Sequence, residues 1–150
     1  YFDGNKKVNA KWNGHDIQTD QPEKGGGEGS APSPFDLFLA SIGTCTGIYV
    51  KNFCDQRNIP SDNIKVIQKL NFNQSTRLID KIDVEIQLPE DFPDKYRDAV
   101  VKAAEKCTVK RHLQDPPEIA VETTNHERTK ERRNEEARER LKRWGEWTKE

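Results

Sequence analysis

One stretch of the 150-residue chain constrains the fold most strongly, because it carries no charged residue between Asp36 and Lys51. Ser33-Pro34 lies just before it, and Ser33 followed three residues later by Asp36 is a pattern that begins a helix. Asn58-Ile59-Pro60 predicts that this helix ends near Arg57. The sequence therefore predicts one long and almost uncharged helix.

Apolar residues surround the axis of this helix instead of forming a single stripe, which is typical of a buried helix. These residues are Phe35, Leu37, Phe38, Leu39, Ile42, Ile48, Tyr49, Val50 and Phe53. Gly43 and Gly47 lie four residues apart and offer a flat side that another helix could approach closely. Because a chain of this size has little material to bury such a helix, we expect a homodimer that supplies the rest.

Turn signals and alternating patterns predict an α+β fold with largely antiparallel sheets. Asp3-Gly4 and Asn13-Gly14 predict a β-meander before the long helix. The apolar face of its central strand is expected to be half-buried and consists of Val8, Ala10 and Trp12. Alternation of apolar and polar residues predicts two further strands over residues 64–72 and 78–88. The glycine-rich segment 25–29 lacks the Lys-Ser/Thr ending of a phosphate-binding loop, so we interpret it as a flexible lid or linker.

A second helix is predicted to begin at Asp91, with Pro93 in its first turn. The spacing of its apolar residues places Cys107 on the buried face, near the C-terminal end of that helix. After Pro116-Pro117, residues 118–123 are expected to form a last strand that points Ile119 and Val121 inward.

The distribution of charge predicts two parts, a globular domain over residues 1–124 and a charged helical tail over residues 125–150. A narrow apolar seam in the tail consists of Ala137, Leu141 and Trp144. This seam fits either a solvated helix or a helix that docks on a partner.

Lys and Arg number 25 against 26 Asp and Glu, which argues against nonspecific binding of nucleic acid by the whole chain. No apolar stretch approaches the roughly 20 residues that cross a bilayer, so we expect no membrane partner. Because the chain opens at Tyr1 within a strand pattern and has no Met, we expect the natural start to lie upstream.

Three cysteines, Cys45, Cys54 and Cys107, cannot all pair within one chain, and none lies in a Cys-x-x-Cys pattern. We therefore expect a reducing, cytoplasmic location, where each thiol serves either packing or chemistry. Cys45 and Cys107 lie on the two helices expected in the core, which favours chemistry: a thiolate attacks peroxide oxygen, and a second thiol closes a disulfide. Cys54 lies nine residues after Cys45, about 180° around the helix, and is expected to serve packing.

Two segments resemble the motifs of the OsmC family, which comprises the osmotically induced and organic hydroperoxide resistance proteins. The first runs from Ala31 to Cys45 (APSPFDLFLASIGTC), and the second runs from Ala103 to Val109 (AAEKCTV). The resemblance extends over residues 1–124 and does not include the tail.

This resemblance implies an intertwined homodimer, in which antiparallel sheets from both chains wrap around two long central helices. It also implies a thiol peroxidase that reduces organic hydroperoxides without a bound cofactor or metal. By motif position, Cys45 would be the attacking thiol and Cys107 the resolving thiol, and an external dithiol would then reduce the disulfide between them.

The chain differs from the active peroxidases of that family at two positions. Phe35 stands where those proteins have a Glu ten residues before the first Cys, although Asp36 follows directly. Phe2 stands where they have an Arg before the Asp-Gly turn, and Lys110, Arg111 or His112 would have to replace that cation. The alternative function is therefore a dimer of the same fold that binds a hydrophobic ligand or senses redox state without efficient turnover.

Overall fold

The computed structural model describes residues 1–124 and Glu135. The chain divides into two compact units, Tyr1–Pro116 and Pro117–Glu150. The predicted tail helix over residues 125–150 lies outside the described residues except for Glu135. Within the described part of the chain, no helix is both long enough and apolar enough to cross a membrane.

The first unit is a mixed α+β fold built on one long helix, α1 (Pro34–Asp55). Ser33 caps its N-terminus: the Asp36 N–H donates to the Ser33 hydroxyl, and the Asp36 carboxylate accepts from the Ser33 N–H. The predicted start of the helix is confirmed. Its end comes two residues before Arg57, and the chain turns away through Asn58 with a φ of +53°.

One side of α1 forms the core together with the second helix, α2 (Arg97–Ala104). The buried residues of this core are Val50, Phe53, Cys54, Phe92, Val100 and Ala104. The opposite side of α1 stays open within the chain, because Phe35, Phe38 and Ile48 are exposed. The sequence predicts that α1 is buried on all sides. Within its own chain, the helix is buried on only one side.

Two antiparallel hairpins flank α1 in sequence. Strands β1 (Ala10–Trp12) and β2 (His15–Ile17) pair through a turn in which Asn13 and Gly14 both have positive φ, as the Asn-Gly signal predicts. The expected burial of this hairpin is wrong for the single chain, since Val8 and Trp12 are exposed. The predicted strand before the Asp3-Gly4 turn is reduced to a single bridge between Phe2 and Val8.

The second hairpin consists of β3 (Lys65–Asn73) and β4 (Leu78–Gln87) and agrees with the predicted strands within two residues. Its face lies against the glycine side of α1. A Cβ added at Gly43 would lie 3.4 Å from the Gln68 side chain, and one at Gly47 would lie 4.0 Å from Val66. The small residues therefore let a strand approach α1, where the sequence predicted the approach of a helix.

The position of Cys107 differs from the prediction. Helix α2 follows a 3-10 turn at Asp94–Tyr96 and ends at Ala104. The chain then forms a tighter turn. The Lys106 N–H donates to the Ala103 carbonyl, and the Cys107 N–H donates to the Ala104 carbonyl. Cys107 then occupies the N-cap of a third helix, α3 (Thr108–Gln114). The turn over residues 105–107 separates the two helices, and the new helix begins at Thr108.

The predicted last strand over residues 118–123 does not form. Ile119 and Val121 are 82% and 92% exposed, and the segment has no strand partner among the described residues. A strand needs a neighbour to accept and donate its backbone hydrogen bonds. The alternating pattern is present in the sequence, but residues 1–124 supply no such neighbour there.

The glycine-rich segment is ordered by a carboxylate that sequence reasoning missed. Asp20 is fully buried and accepts hydrogen bonds from the N–H groups of Gln21, Glu28 and Ser30 and from the Ser30 hydroxyl. The Ser30 N–H contributes most to lowering the pKa of Asp20 to about 2, against the opposing effect of burial. The segment 25–29 is thus a loop wrapped around one carboxylate.

We predict that Asp20→Asn destabilises the protein in a pH-dependent way. Because the pKa of Asp20 is depressed on folding, its stabilisation is present above the ordinary carboxyl pKa of 3.8 and is lost as the pH falls towards about 2. The variant should melt below the wild type at pH 7, and the difference should shrink from pH 4 downwards. Thermal melts across this range measure it.

Asp16→Asn is the matched control, because Asp16 forms only an exposed ion pair with Lys11 at 3.8 Å. A constant melting difference between pH 7 and pH 2 for Asp20→Asn would contradict the assignment.

Candidate functional site

The structure brings the two predicted site cysteines together. Cys45 lies in the middle of α1, and Cys107 lies in the turn between α2 and α3. Both are free thiols, and the Cys45 thiol lies near enough to the Cys107 sulfur to help lower the pKa of Cys107. They are 62 positions apart in the sequence, so this proximity is a product of the fold.

The two sulfur atoms differ in their access to solvent. Cys107 is completely buried, whereas Cys45 is only half-buried. A reactant that enters from solvent therefore reaches Cys45 first. This order agrees with the roles that the family resemblance implies for the two cysteines.

The surroundings of Cys107 favour its thiolate. Burial disfavours the charged form, but it is outweighed by hydrogen bonds from the Lys110 N–H, the Cys45 thiol, the Thr46 hydroxyl and the Val109 N–H, so the pKa of Cys107 lies below its usual value. No capping hydrogen bond of ordinary geometry joins the sulfur to the first turn of α3.

Thr46 has one hydroxyl proton and two acceptors for it. The hydroxyl donates to the Ile42 carbonyl at 2.7 Å and also lies beside the Cys107 sulfur. Rotation about the Cβ–Oγ1 bond can turn this proton towards a Cys107 thiolate. Thr46 is a residue that the sequence did not single out, although it directly follows Cys45.

Cys54 is placed apart from this pair. It is completely buried in the core between α1 and α2, where burial raises the pKa of its thiol. A buried protonated thiol is a poor nucleophile. Cys54 therefore fills the packing role that its helical position predicts.

The residues at the two departures from the family pattern do not reach the thiols. Phe2 is 88% exposed, and Phe35 stacks on Phe38 at 5.6 Å between ring centroids. Asp36 is engaged by the Ser33 side chain and N–H, which lower the pKa of its carboxyl. This carboxylate serves as a helix cap.

The three basic residues after Cys107 lie on α3. Arg111 and His112 are exposed, and His112 Nδ1 contacts the Thr108 carbonyl at 2.8 Å. Lys110 is half-buried and lines an apolar cavity of about 270 Å³ together with Thr46. The other lining residues are Ile42, Ile82, Val84, Ile86, Val101, Ala104, Glu105 and Leu113.

This cavity adjoins the dithiol through Thr46, whose hydroxyl lies beside the Cys107 sulfur. Its walls are mostly aliphatic, so it suits an alkyl or aryl group. In the described part of the chain, no three His, Cys, Asp or Glu side chains converge as metal ligands would. The chemistry that the arrangement can perform is therefore that of two thiols beside an apolar chamber.

The chain belongs to the family of OsmC-like proteins, whose model matches residues 27–122 and so includes all three cysteines. Among solved structures, a protein from Psychrobacter arcticus 273-4 is named as osmotic stress induced and as a detoxification response protein. It is 20% identical, with a TM-score of 0.56, over 74% of this chain and 90% of that chain. A structure described only as structural genomics is also 20% identical, with a TM-score of 0.62, over 80% and 89%.

A third structure, an organic hydroperoxide resistance protein OsmC from Legionella pneumophila, is 18% identical with a TM-score of 0.44, over 67% of this chain and 74% of that chain. The first two structures share the fold of this chain, and the family model identifies that fold as OsmC-like. A comparison with curated proteins found no match.

We predict that the thiol oxidant diamide links Cys45 to Cys107 and leaves Cys54 as a thiol. Thr46→Val should slow this reaction several-fold near neutral pH, because it removes a hydrogen bond that favours the Cys107 thiolate and so raises the pKa of Cys107. Peptide mapping of the disulfide and its rate between pH 6 and pH 9 measure both effects.

Thr44→Val is the matched control, since the Thr44 hydroxyl is exposed and donates only to carbonyls of its own helix. A disulfide that includes Cys54 would contradict the assigned geometry.

Proposed function

We propose that this protein is a cytoplasmic thiol peroxidase that reduces organic hydroperoxides as a homodimer. The proposal assigns the attacking thiol to Cys45 and the resolving thiol to Cys107. The observation that carries it is the contact between these two thiols, one half-buried and one fully buried, beside an apolar cavity. Membership of the OsmC-like family supports the same reaction class.

In the first step, the Cys45 thiolate attacks the distal oxygen of the hydroperoxide and breaks the O–O bond. The alkoxide takes up a proton and leaves as an alcohol, and Cys45 becomes a sulfenic acid. In the second step, the Cys107 thiolate attacks the Cys45 sulfur, the S–O bond breaks, and the leaving hydroxide takes up a proton to become water. An external dithiol then supplies two electrons and two protons that return the disulfide to the two thiols.

The hydrogen bonds around Cys107 support its role in the second step. A resolving thiol must be deprotonated when the sulfenic acid forms, and the groups around Cys107 lower its pKa. The first step lacks comparable help, since Phe2 and Phe35 replace the family Arg and Glu. We therefore infer that formation of the sulfenic acid is slow and limits turnover.

The exposed apolar side of α1 supports the homodimer. Ile48 is 52% exposed in the middle of the helix, and Phe35, Phe38 and Trp12 are exposed as well. A monomer seldom leaves so many large apolar side chains in water. We propose that a second copy covers them, and that residues 1–124 form the dimeric domain with residues 125–150 as a separate charged tail.

We predict that light scattering at low micromolar concentration gives about twice the chain mass of 17.3 kDa. Ile48→Asp should shift the protein towards monomer, because the dimer would bury an unpaired carboxylate. Lys24→Asp, at an exposed position outside α1, is the control and should stay dimeric. A folded and monodisperse wild-type monomer would refute the dimer.

We predict that one equivalent of an organic hydroperoxide such as cumene hydroperoxide yields the Cys45–Cys107 disulfide with Cys54 intact. Cys45→Ser should abolish oxidation, because the first nucleophile is missing. Cys107→Ser should leave Cys45 as a sulfenic acid or take it to sulfinic acid. The rate should rise with pH, since the thiolate is the reactive form. Intact-protein and peptide mass spectrometry measure each product.

The same apolar cavity favours a second candidate function, the binding of a hydrophobic ligand or the sensing of redox state without turnover. Its volume of about 270 Å³ is close to that of small ligand pockets, and neither Cys45 nor Cys107 belongs to its lining. If excess hydroperoxide leaves all three thiols intact while an apolar probe binds, this second function replaces the peroxidase.

A further inference from the structure

Little of the segment around Cys107 is packed into the core. Cys107 itself is completely buried, but Glu105 and Lys106 before it are exposed, and α3 after it contains no buried residue. The hydrogen bond from the Cys107 N–H to the Ala104 carbonyl, at 3.1 Å, joins backbone groups within one turn and does not fix that turn against α1. Core packing therefore holds the chain as far as Ala104, and the residues that follow need another tie to α1.

The Tyr49 and Thr108 side chains supply such a tie, because their hydroxyl groups share a hydrogen bond of 2.9 Å. Tyr49 lies on α1 four residues after Cys45, and Thr108 directly follows Cys107. Within the described part of the chain, no other hydrogen bond between side chains joins α1 to α3. This bond therefore links the same two segments that carry the two sulfur atoms.

Both side chains are stiff enough to hold these segments together. Helical side chains lean towards the N-terminus of their helix, so the half-buried Tyr49 ring lies over the turn of α1 that carries Cys45. A Tyr side chain has only two χ angles, and a β-branched Thr is restricted at χ1. A hydrogen bond between two such side chains keeps the backbones that carry them at a nearly fixed separation.

We propose that Tyr49 and Thr108 are positioning residues, whose hydrogen bond keeps the turn over residues 105–107 closed on α1 and so sets how readily Cys107 closes a disulfide with Cys45. This inference rests on the proposed function and deepens it. Without the hydrogen bond, the turn opens part of the time, and an open turn holds Cys107 out of reach of Cys45. A sulfenic acid on Cys45 then persists for longer.

Two routes compete for that sulfenic acid. In the first, the Cys107 thiolate attacks the Cys45 sulfur, the S–O bond breaks, and the leaving hydroxide takes up a proton. In the second, the Cys45 sulfenate sulfur attacks the distal oxygen of a second hydroperoxide, the O–O bond breaks, and the hydroperoxide proton passes to the alkoxide, which gives sulfinic acid and alcohol. Only the first route needs a closed turn, so the ratio of the two products measures closure at a fixed concentration of hydroperoxide.

The first experiment treats the full-length protein with excess cumene hydroperoxide and measures the ratio of sulfinic acid to disulfide by mass spectrometry. Tyr49→Phe removes one hydroxyl and should raise this ratio about three- to fivefold, as the loss of one hydrogen bond allows. Thr108→Val should have the same effect, whereas Thr108→Ser keeps a hydroxyl and should retain the wild-type ratio. The rate at which Cys45 is first oxidised should not change in any variant.

The double variant Tyr49→Phe/Thr108→Val distinguishes a shared hydrogen bond from two separate effects. Because one bond is lost in either single variant, the double variant should be no worse than each of them. Tyr96→Phe is the matched control: the Tyr96 ring packs on Phe53 at 5.9 Å between centroids, and its hydroxyl makes no hydrogen bond within the described part of the chain. This control should keep the wild-type ratio.

The second experiment does not require peroxidase activity. The Cys45–Cys107 disulfide is made with diamide and equilibrated with dithiothreitol, and the fractions of disulfide and dithiol are measured after acid quenching. The disulfide holds the turn closed by itself, whereas the dithiol form can open. Tyr49→Phe and Thr108→Val should therefore shift the equilibrium towards the dithiol about three- to fivefold, and Thr108→Ser and Tyr96→Phe should not.

An unchanged product ratio and an unchanged equilibrium in Tyr49→Phe would overturn the inference, as would additive effects in the double variant. Failure of diamide to link Cys45 to Cys107 would overturn it as well. If cumene hydroperoxide leaves Cys45 unoxidised while the dithiothreitol equilibrium shifts as expected, the peroxidase is refuted and the positioning role of Tyr49 and Thr108 is supported.

Discussion

The packing of α1 against α2 is the interaction on which the rest of this structure depends. Val50, Phe53 and Cys54 of the long helix bury themselves against Val100 and Ala104. α2 ends at Ala104, and the turn that follows carries Cys107 to the middle of α1. The position of Cys107 near Cys45 is therefore a consequence of core packing.

A buried thiolate needs compensation, because charge is costly to remove from water. The described residues of this chain supply it through hydrogen bonds, since the Lys110 N–H, the Cys45 thiol and the Thr46 hydroxyl all favour charge on Cys107. The result is an asymmetric pair, in which the sulfur with the stabilised thiolate is the completely buried one.

Much of the fold could be predicted because local chemistry determines it. A few residues of sequence are enough to predict the capping box at Ser33, the Asn13-Gly14 turn and the alternation in β4. The N-cap position of Cys107 could not be predicted, because a helix break without Pro or Gly leaves little signal. The burial of Asp20 depends on a loop closing around it, and no spacing rule reveals that closure.

The errors on the apolar surfaces share one physical cause. The sequence predicts burial for Trp12, Ile48 and Val121, and the single chain leaves all three exposed. The positions of apolar residues along a sequence reflect where side chains are buried in the assembled protein, and the burial can come from a second chain. The contact between Cys45 and Cys107 was equally beyond spacing arguments, since it joins two elements that only the core brings together.

The asymmetry of the pair also fixes the direction of electron flow through it. When a thiol attacks a disulfide, the sulfur with the lower pKa is the better leaving group. In a Cys45–Cys107 disulfide, the surrounding donors stabilise Cys107 as the leaving thiolate. Solvent access gives the same result, because Cys45 is half-buried and Cys107 is completely buried. In the proposed cycle, both arguments direct the incoming reductant to Cys45, so the same sulfur would receive oxygen in one half of the cycle and the reductant in the other. Cys107 then needs no access to solvent at any step, and its complete burial is compatible with turnover.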